Sequence, residues 1–189
     1  MVALLSRSRA SKASSTLSSI ARTRISEGRA DQVALRSIAL VALAVVGFAI
    51  SAYLAAFELG IVAHVWDPLF GDGSRRVLTS AIARVLPVPD AALGGAAYLV
   101  DGLLAAVLMV RPRGRLVVAS ALAVIASAGA VVAFALVVVQ AAFVGAFCAL
   151  CLASAAVSAA LAFGALVEWR ARQRDHQFHD DQSGEVVSS

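Results

Sequence analysis

Four long apolar blocks constrain this chain more than any other feature. The first runs from about Ser37 to Phe57, between Arg36 and Glu58. The second runs from about Ala91 to Val110, and the third from about Leu116 to Val144. The fourth runs from about Gly145 to Val167, ahead of Glu168, Trp169 and Arg170. Each reaches the roughly 20 apolar residues that a helix needs to cross a bilayer core. Backbone groups in that core have no water to bond with, so the blocks must be helices. Their many Ala, Gly and Ser residues let helices approach closely. The expected fold is therefore all-α: an integral membrane four-helix bundle. Composition agrees, with 60% of the 189 residues hydrophobic and only 15% charged.

Charge organises the remainder. Residues 1–34 are rich in Ser and Arg and read as a basic, solvated cytoplasmic tail without fixed structure. They do not read as a signal peptide, because the apolar core comes too late. Residues 35–170 form the four-span membrane domain and 171–189 a polar cytoplasmic tail. Seven Lys and Arg precede the first block, from Arg7 to Arg36. Arg111, Arg113 and Arg115 lie between the second and third blocks, and Arg170, Arg172 and Arg174 follow the fourth. On the opposite side stand only Arg75, Arg76 and Arg84. This bias places both termini in the cytoplasm and the 58–90 loop outside the cell membrane. No aromatic-basic interleaving accompanies the arginines, so nucleic-acid binding is not expected. The loop segment Ser74 to Leu86 carries Val77, Leu78, Ile82, Val85 and Leu86 at helical spacing, and Pro87 and Pro89 follow it. It reads as a short amphipathic helix lying on the bilayer surface, either a lid over the bundle or an interfacial connector.

The two cysteines stand three apart, as Cys148-Ala149-Leu150-Cys151, at the head of the fourth block. Residues i and i+3 share one helix face, so a disulfide can close there after a small adjustment. A thiol near a helix N-terminus is favoured as thiolate, the form that attacks disulfides. On the outer side such a pair meets an oxidising compartment. The alternative is that Cys serves only as a small packing residue. A zinc site needs more ligands than this pair, and His64 comes from another segment, so no metal is expected. Asp101 in the second span is costly unless it faces a polar cavity or works as a proton carrier. Gln140 can bond a bound ligand or a neighbouring helix. Glu58 and His64 read as interfacial residues, and Tyr53, Trp66 and Trp169 as an aromatic belt.

Taken together, Ser37 to Trp169 resembles the bacterial vitamin K epoxide reductase family. Val144-Gly145-Ala146-Phe147-Cys148-Ala149-Leu150-Cys151-Leu152-Ala153-Ser154-Ala155 is similar to the family's fourth-helix motif. Val77-Leu78-Thr79-Ser80, Pro89 and the Gly94-to-Tyr98 step resemble the approach to its second helix. Gly47 and Ser51-x-Tyr53-Leu54 resemble the end of its first. The resemblance implies a membrane thiol–disulfide oxidoreductase. Electrons would pass from an extracytoplasmic thioredoxin-like thiol protein, through Cys148 and then Cys151, to a membrane quinone of the menaquinone or ubiquinone class. Ser80, Asp90, Tyr98, Asp101, Gln140 and Phe147 are the candidate quinone-binding residues. Relatives carry two further loop cysteines, which would fall near Trp66 and at Ser74; neither is Cys here. Ala155 stands where vertebrate relatives have a quinone-site tyrosine, and Asp90 where some have an amide. Three consequences stay open: a partner that reaches Cys148 directly, a changed role, or an inactive subunit that acts by partner binding.

Overall fold

The computed structural model describes residues 32, 34–67, 69–80, 89–110 and 115–187. Most of the tail expected over 1–34, the end of the expected loop helix over 81–88, and Arg111 and Arg113 lie outside them. Four helices are long and apolar enough to cross a membrane. They are α1 (Ala34–Glu58), α3 (Asp90–Val110), α4 (Arg115–Val139, continued by a π-helical turn at Gln140–Val144) and α5 (Ala149–Val187). A six-residue helix, α2 (Gly73–Leu78), lies in the loop between α1 and α3. No strand occurs among the described residues. The architecture is the all-α four-helix membrane bundle that the apolar blocks demand.

The helices alternate in direction, so one end of the bundle gathers the end of α1, the start of α3, the π-turn of α4 and the start of α5. Small residues set how closely they meet. Gly47 of α1 leaves room for the Tyr98 ring of α3, which a Cβ there would penetrate. Gly164 of α5 faces Leu40 of α1, whose Cδ2 would lie 2.9 Å from an added Cβ. Around these contacts Leu40, Ala44, Ala105, Leu108, Leu122 and Leu161 form the core. Most other apolar side chains point outward: Val124, Val131, Phe134 and Phe163 are each about two-thirds exposed or more. That is the distribution of a bundle bathed in lipid, where apolar surface has nothing to gain by turning inward.

Two boundaries differ from the expected ones. The fourth helix starts at Ala149, not Gly145, because Gly145 takes a left-handed conformation (φ 62°) that closes the π-turn. The loop helix is shorter than the pattern of Ser74 to Leu86 suggests. It stops at Leu78, where the Thr79 hydroxyl donates to the Arg75 carbonyl at 2.7 Å. At the other end of the molecule α5 continues as helix to Val187, through the segment expected as a tail.

Candidate functional site

Cys148 is the residue before the first turn of α5, in the connection between the third and fourth spans. Its sulfur accepts the amide N–H of Cys151 at 3.1 Å. Its carbonyl accepts the amide of Leu152 at 3.0 Å. Cys148 thus caps the helix as Ser or Asp would, through its side chain to the third amide. Gln140, buried at the π-turn, receives the Cys148 N–H on its Oε1 at 3.2 Å. The position holds Cys148 below the usual thiol range. The hydrogen bond from the Cys151 thiol is the largest cause, burial opposes it, and the Ser74 hydroxyl and the Cys151 and Leu150 amides add to it. Both thiols are reduced.

The two sulfurs face different surroundings. Cys148 is completely buried, in a cluster with Leu54, Val65, Val77 and Leu78 at the loop side. Cys151 lies in the wall of a cavity of about 460 Å³ between α1, α3, α4 and α5. The wall is mostly apolar, with Leu54, Leu93, Val132, Leu136 and Val144 among its residues. Its polar groups are few: Ser51, Ser80, Asp90, Tyr98, Asp101, Gln140, Ser154 and Ser158. An apolar cleft with a small set of placed polar groups is the usual form of a small-molecule site.

The cover over Cys148 is built from one carboxylate. Asp67 Oδ1 accepts the amides of Leu69 (3.2 Å) and Phe70 (2.9 Å). Its Oδ2 accepts the Ser74 amide (3.0 Å) and hydroxyl (2.7 Å). Slight burial works against the charge, but these bonds, led by the Ser74 hydroxyl, hold Asp67 below its ordinary value of 3.8. The clasp seats α2 so closely that a Cβ on Gly73 would collide with the Phe147 carbonyl. The Phe70 and Phe147 rings pack beside it, 5.8 Å apart at 41°. Tyr53 fastens the preceding loop: its hydroxyl donates to the His64 carbonyl (3.3 Å) and accepts the Trp66 amide (3.2 Å).

Of the residues singled out by sequence, Ser80, Asp90, Tyr98, Asp101, Gln140 and Cys151 converge on the cavity. Phe147 is not among the wall residues; it turns outward, 38% exposed, onto the loop cover. His64 is exposed and contributes its carbonyl. Glu58 is more than an interfacial residue. It lies against the Asp90 carboxyl and the Ala91 amide, with both its oxygens buried. Ser154 and Ser158 escape a reading by residue type, since serine in a membrane helix is commonplace. Their spacing was the available signal: they follow Cys151 by three and seven residues, on one face. The Tyr98 hydroxyl joins them, donating to the Ser154 carbonyl at 2.8 Å and pairing with Ser154 Oγ at 3.0 Å and Ser158 Oγ at 2.6 Å. Among the described residues no group of His, Cys, Asp and Glu could hold a metal.

The sequence profile described as the vitamin K epoxide reductase family matches residues 38–166. Searches of curated proteins and of solved structures returned no match.

Proposed function

This chain belongs to the vitamin K epoxide reductase family, and from that premise we propose that it carries electrons from an extracytoplasmic thiol partner through Cys148 and Cys151 to a membrane quinone. The family is one of membrane oxidoreductases with thiol–disulfide and quinone chemistry, and four spans accord with that setting. The observation that carries the finer reading is the placement of the pair. Cys151 lies in a cavity wall, while Cys148, one turn away, lies under the loop. A quinone fits the residues present: the cavity is apolar, and Asp90, Ser80 and Gln140 offer polar contacts at the Cys151 end. A bound quinone supplies an acceptor for two electrons and two protons.

The chain's own groups do the rest. A partner's thiolate attacks the Cys148 sulfur of the Cys148–Cys151 disulfide and frees Cys151. A second partner thiol then closes the partner's own disulfide and releases Cys148, whose helix N-cap position favours it as the leaving thiolate. Cys151 then stands within reach of both Cys148 and the cavity. Gln140 fixes the Cys148 backbone, and the apolar wall keeps water from the reacting sulfur. The charge bias of 13 Lys and Arg against 3 supports an orientation with this end extracytoplasmic.

A second reading, a membrane subunit that acts by binding a partner, is favoured by the complete burial of Cys148 beneath the loop. One assay separates the two. Purified protein holding a quinone is given dithiothreitol, and quinone absorbance is followed in wild type and Cys151→Ser. Thiol-dependent reduction in wild type alone is expected. Equal traces in both proteins remove the oxidoreductase reading and leave the subunit.

A further inference from the structure

Asp101 has no role in the thiol exchange, yet it is a buried acid with an unpartnered oxygen. It lies in the middle of α3, is only 4% exposed, and its Oδ1 has no hydrogen-bond partner. It lines the same cavity as Cys151. Among the described residues, the other titratable groups in that wall are Asp90, Tyr98 and Cys151, without a Lys, Arg or His. The neighbouring helices bring nothing charged to it: Ala44 of α1 packs beside Gly102, α4 offers Ala126 and Gly129, and α5 offers Ser158 and Leu161. Burial with no cation to pair with favours the neutral form of a carboxyl over the charged one. Three bonded hydroxyls share the cavity wall with Asp101 and Cys151. Tyr98 stands one turn away on α3, and its hydroxyl bridges Ser158 and Ser154. Ser154 stands one turn from Cys151 on α5. In both hydroxyl pairs either oxygen can be the donor; the Tyr98 proton, which rests on the Ser154 carbonyl, has to swing to a serine hydroxyl for the set to pass a proton.

We propose that Asp101 is the internal proton donor of the cavity and that Ser158, Tyr98 and Ser154 relay its proton toward Cys151. The inference rests on the oxidoreductase reading and adds the proton that reading leaves unassigned. Closing the Cys148–Cys151 disulfide releases two electrons. A quinone that takes them takes two protons as well. The Cys151 thiol gives one. Cys148, as a thiolate at its helix cap, has none to give, so Asp101 gives the second and is left as a carboxylate. Charge balances: one thiolate is consumed and one carboxylate appears. Water later restores the proton.

The test uses the full-length protein in lipid, in wild type, Asp101→Asn and Tyr98→Phe. Infrared spectra of the resting protein at neutral pH are expected to show a protonated-carboxyl C=O band that Asp101→Asn removes and Tyr98→Phe keeps. With dithiothreitol as donor, quinone reduction is expected to slow about 10- to 100-fold in Asp101→Asn, at unchanged quinone affinity. Its pH–rate profile is expected to lose one ionisation. Tyr98→Phe, which keeps the ring against Gly47, is expected to slow the same step. Absence of the band, or an Asp101→Asn variant with the wild-type rate and profile, overturns the proposal. A slow Asp101→Asn with an unaffected Tyr98→Phe overturns the relay. A wild type that shows the band but reduces no quinone overturns the oxidoreductase reading, and the assigned proton transfer with it.

Discussion

A single side chain, Asp67, ties the loop that covers Cys148. Four donors converge on its carboxylate, three of them backbone amides. Its folded-state pKa lies below its ordinary value of 3.8. The sign of the pH dependence follows. A carboxylate whose acidity folding strengthens stabilises the fold above its ordinary pKa, and that contribution is lost as pH falls through the lower, folded value. Cleavage of the 59–72 loop by an acid protease is therefore expected to accelerate below pH 3.8. Asp67→Asn, which keeps one acceptor and loses the other, is expected to be cleaved about 2- to 10-fold faster above pH 3.8, the range set by one net hydrogen bond. It is also expected to lack the acid step. Cleavage of the two proteins at one rate across pH would show that the clasp does not hold the loop.

At the scale of elements, the site depends on how one short helix and one turn meet. Gly73→Ala drives a methyl group into the Phe147 carbonyl and Phe70. It is expected to cost about 1–3 kcal/mol, as overpacking does, read as a lowered thermal midpoint in detergent. A midpoint equal to wild type would mean that α2 is not seated on the Phe147 turn. Much of this architecture was legible in the residues. Apolar length alone marks a membrane helix, so the four spans and the polar residues that interrupt them, Asp101 and Gln140, stand out. The three-residue spacing of the cysteines gave the dithiol. Phe147 lies on the loop cover, after the left-handed Gly145 turn, a bend that no periodicity announces. The loop helix ends at Leu78, where the Thr79 amide and hydroxyl both close on the Arg75 carbonyl, an event of one residue. Glu58 looked like a rim residue because the fold of α3 brings Asp90 onto it, a contact 32 positions apart. Ser154 and Ser158 acquire meaning only once Tyr98 is seen between them.

Across the whole molecule, polarity is held at the two ends and in one cavity. At the end away from the dithiol, Glu168 is 1% exposed and is held by Arg172, whose Nε lies 2.9 Å from Oε1 and whose Nη2 also bonds it. Removing one member of a buried pair leaves an uncompensated charge. Arg172→Ala is expected to lower stability by about 3–5 kcal/mol, and the double variant with Glu168→Gln to recover most of that loss, both by chemical unfolding in mild detergent. A single variant as stable as wild type would show that Glu168 finds another partner.

The burial of Cys148 under the loop, with Cys151 in the cavity wall one turn away, has a consequence for leakage. On the proposed path, a water-soluble thiol works on Cys148 and a lipid-soluble oxidant on Cys151, so the two meet different sulfurs. Whatever passes between them has to cross one sulfur–sulfur contact. Insulation of the two media from each other thus comes from where a helix begins: a start one turn earlier would put both sulfurs inside the helix and leave Gln140 without the backbone amide it now holds.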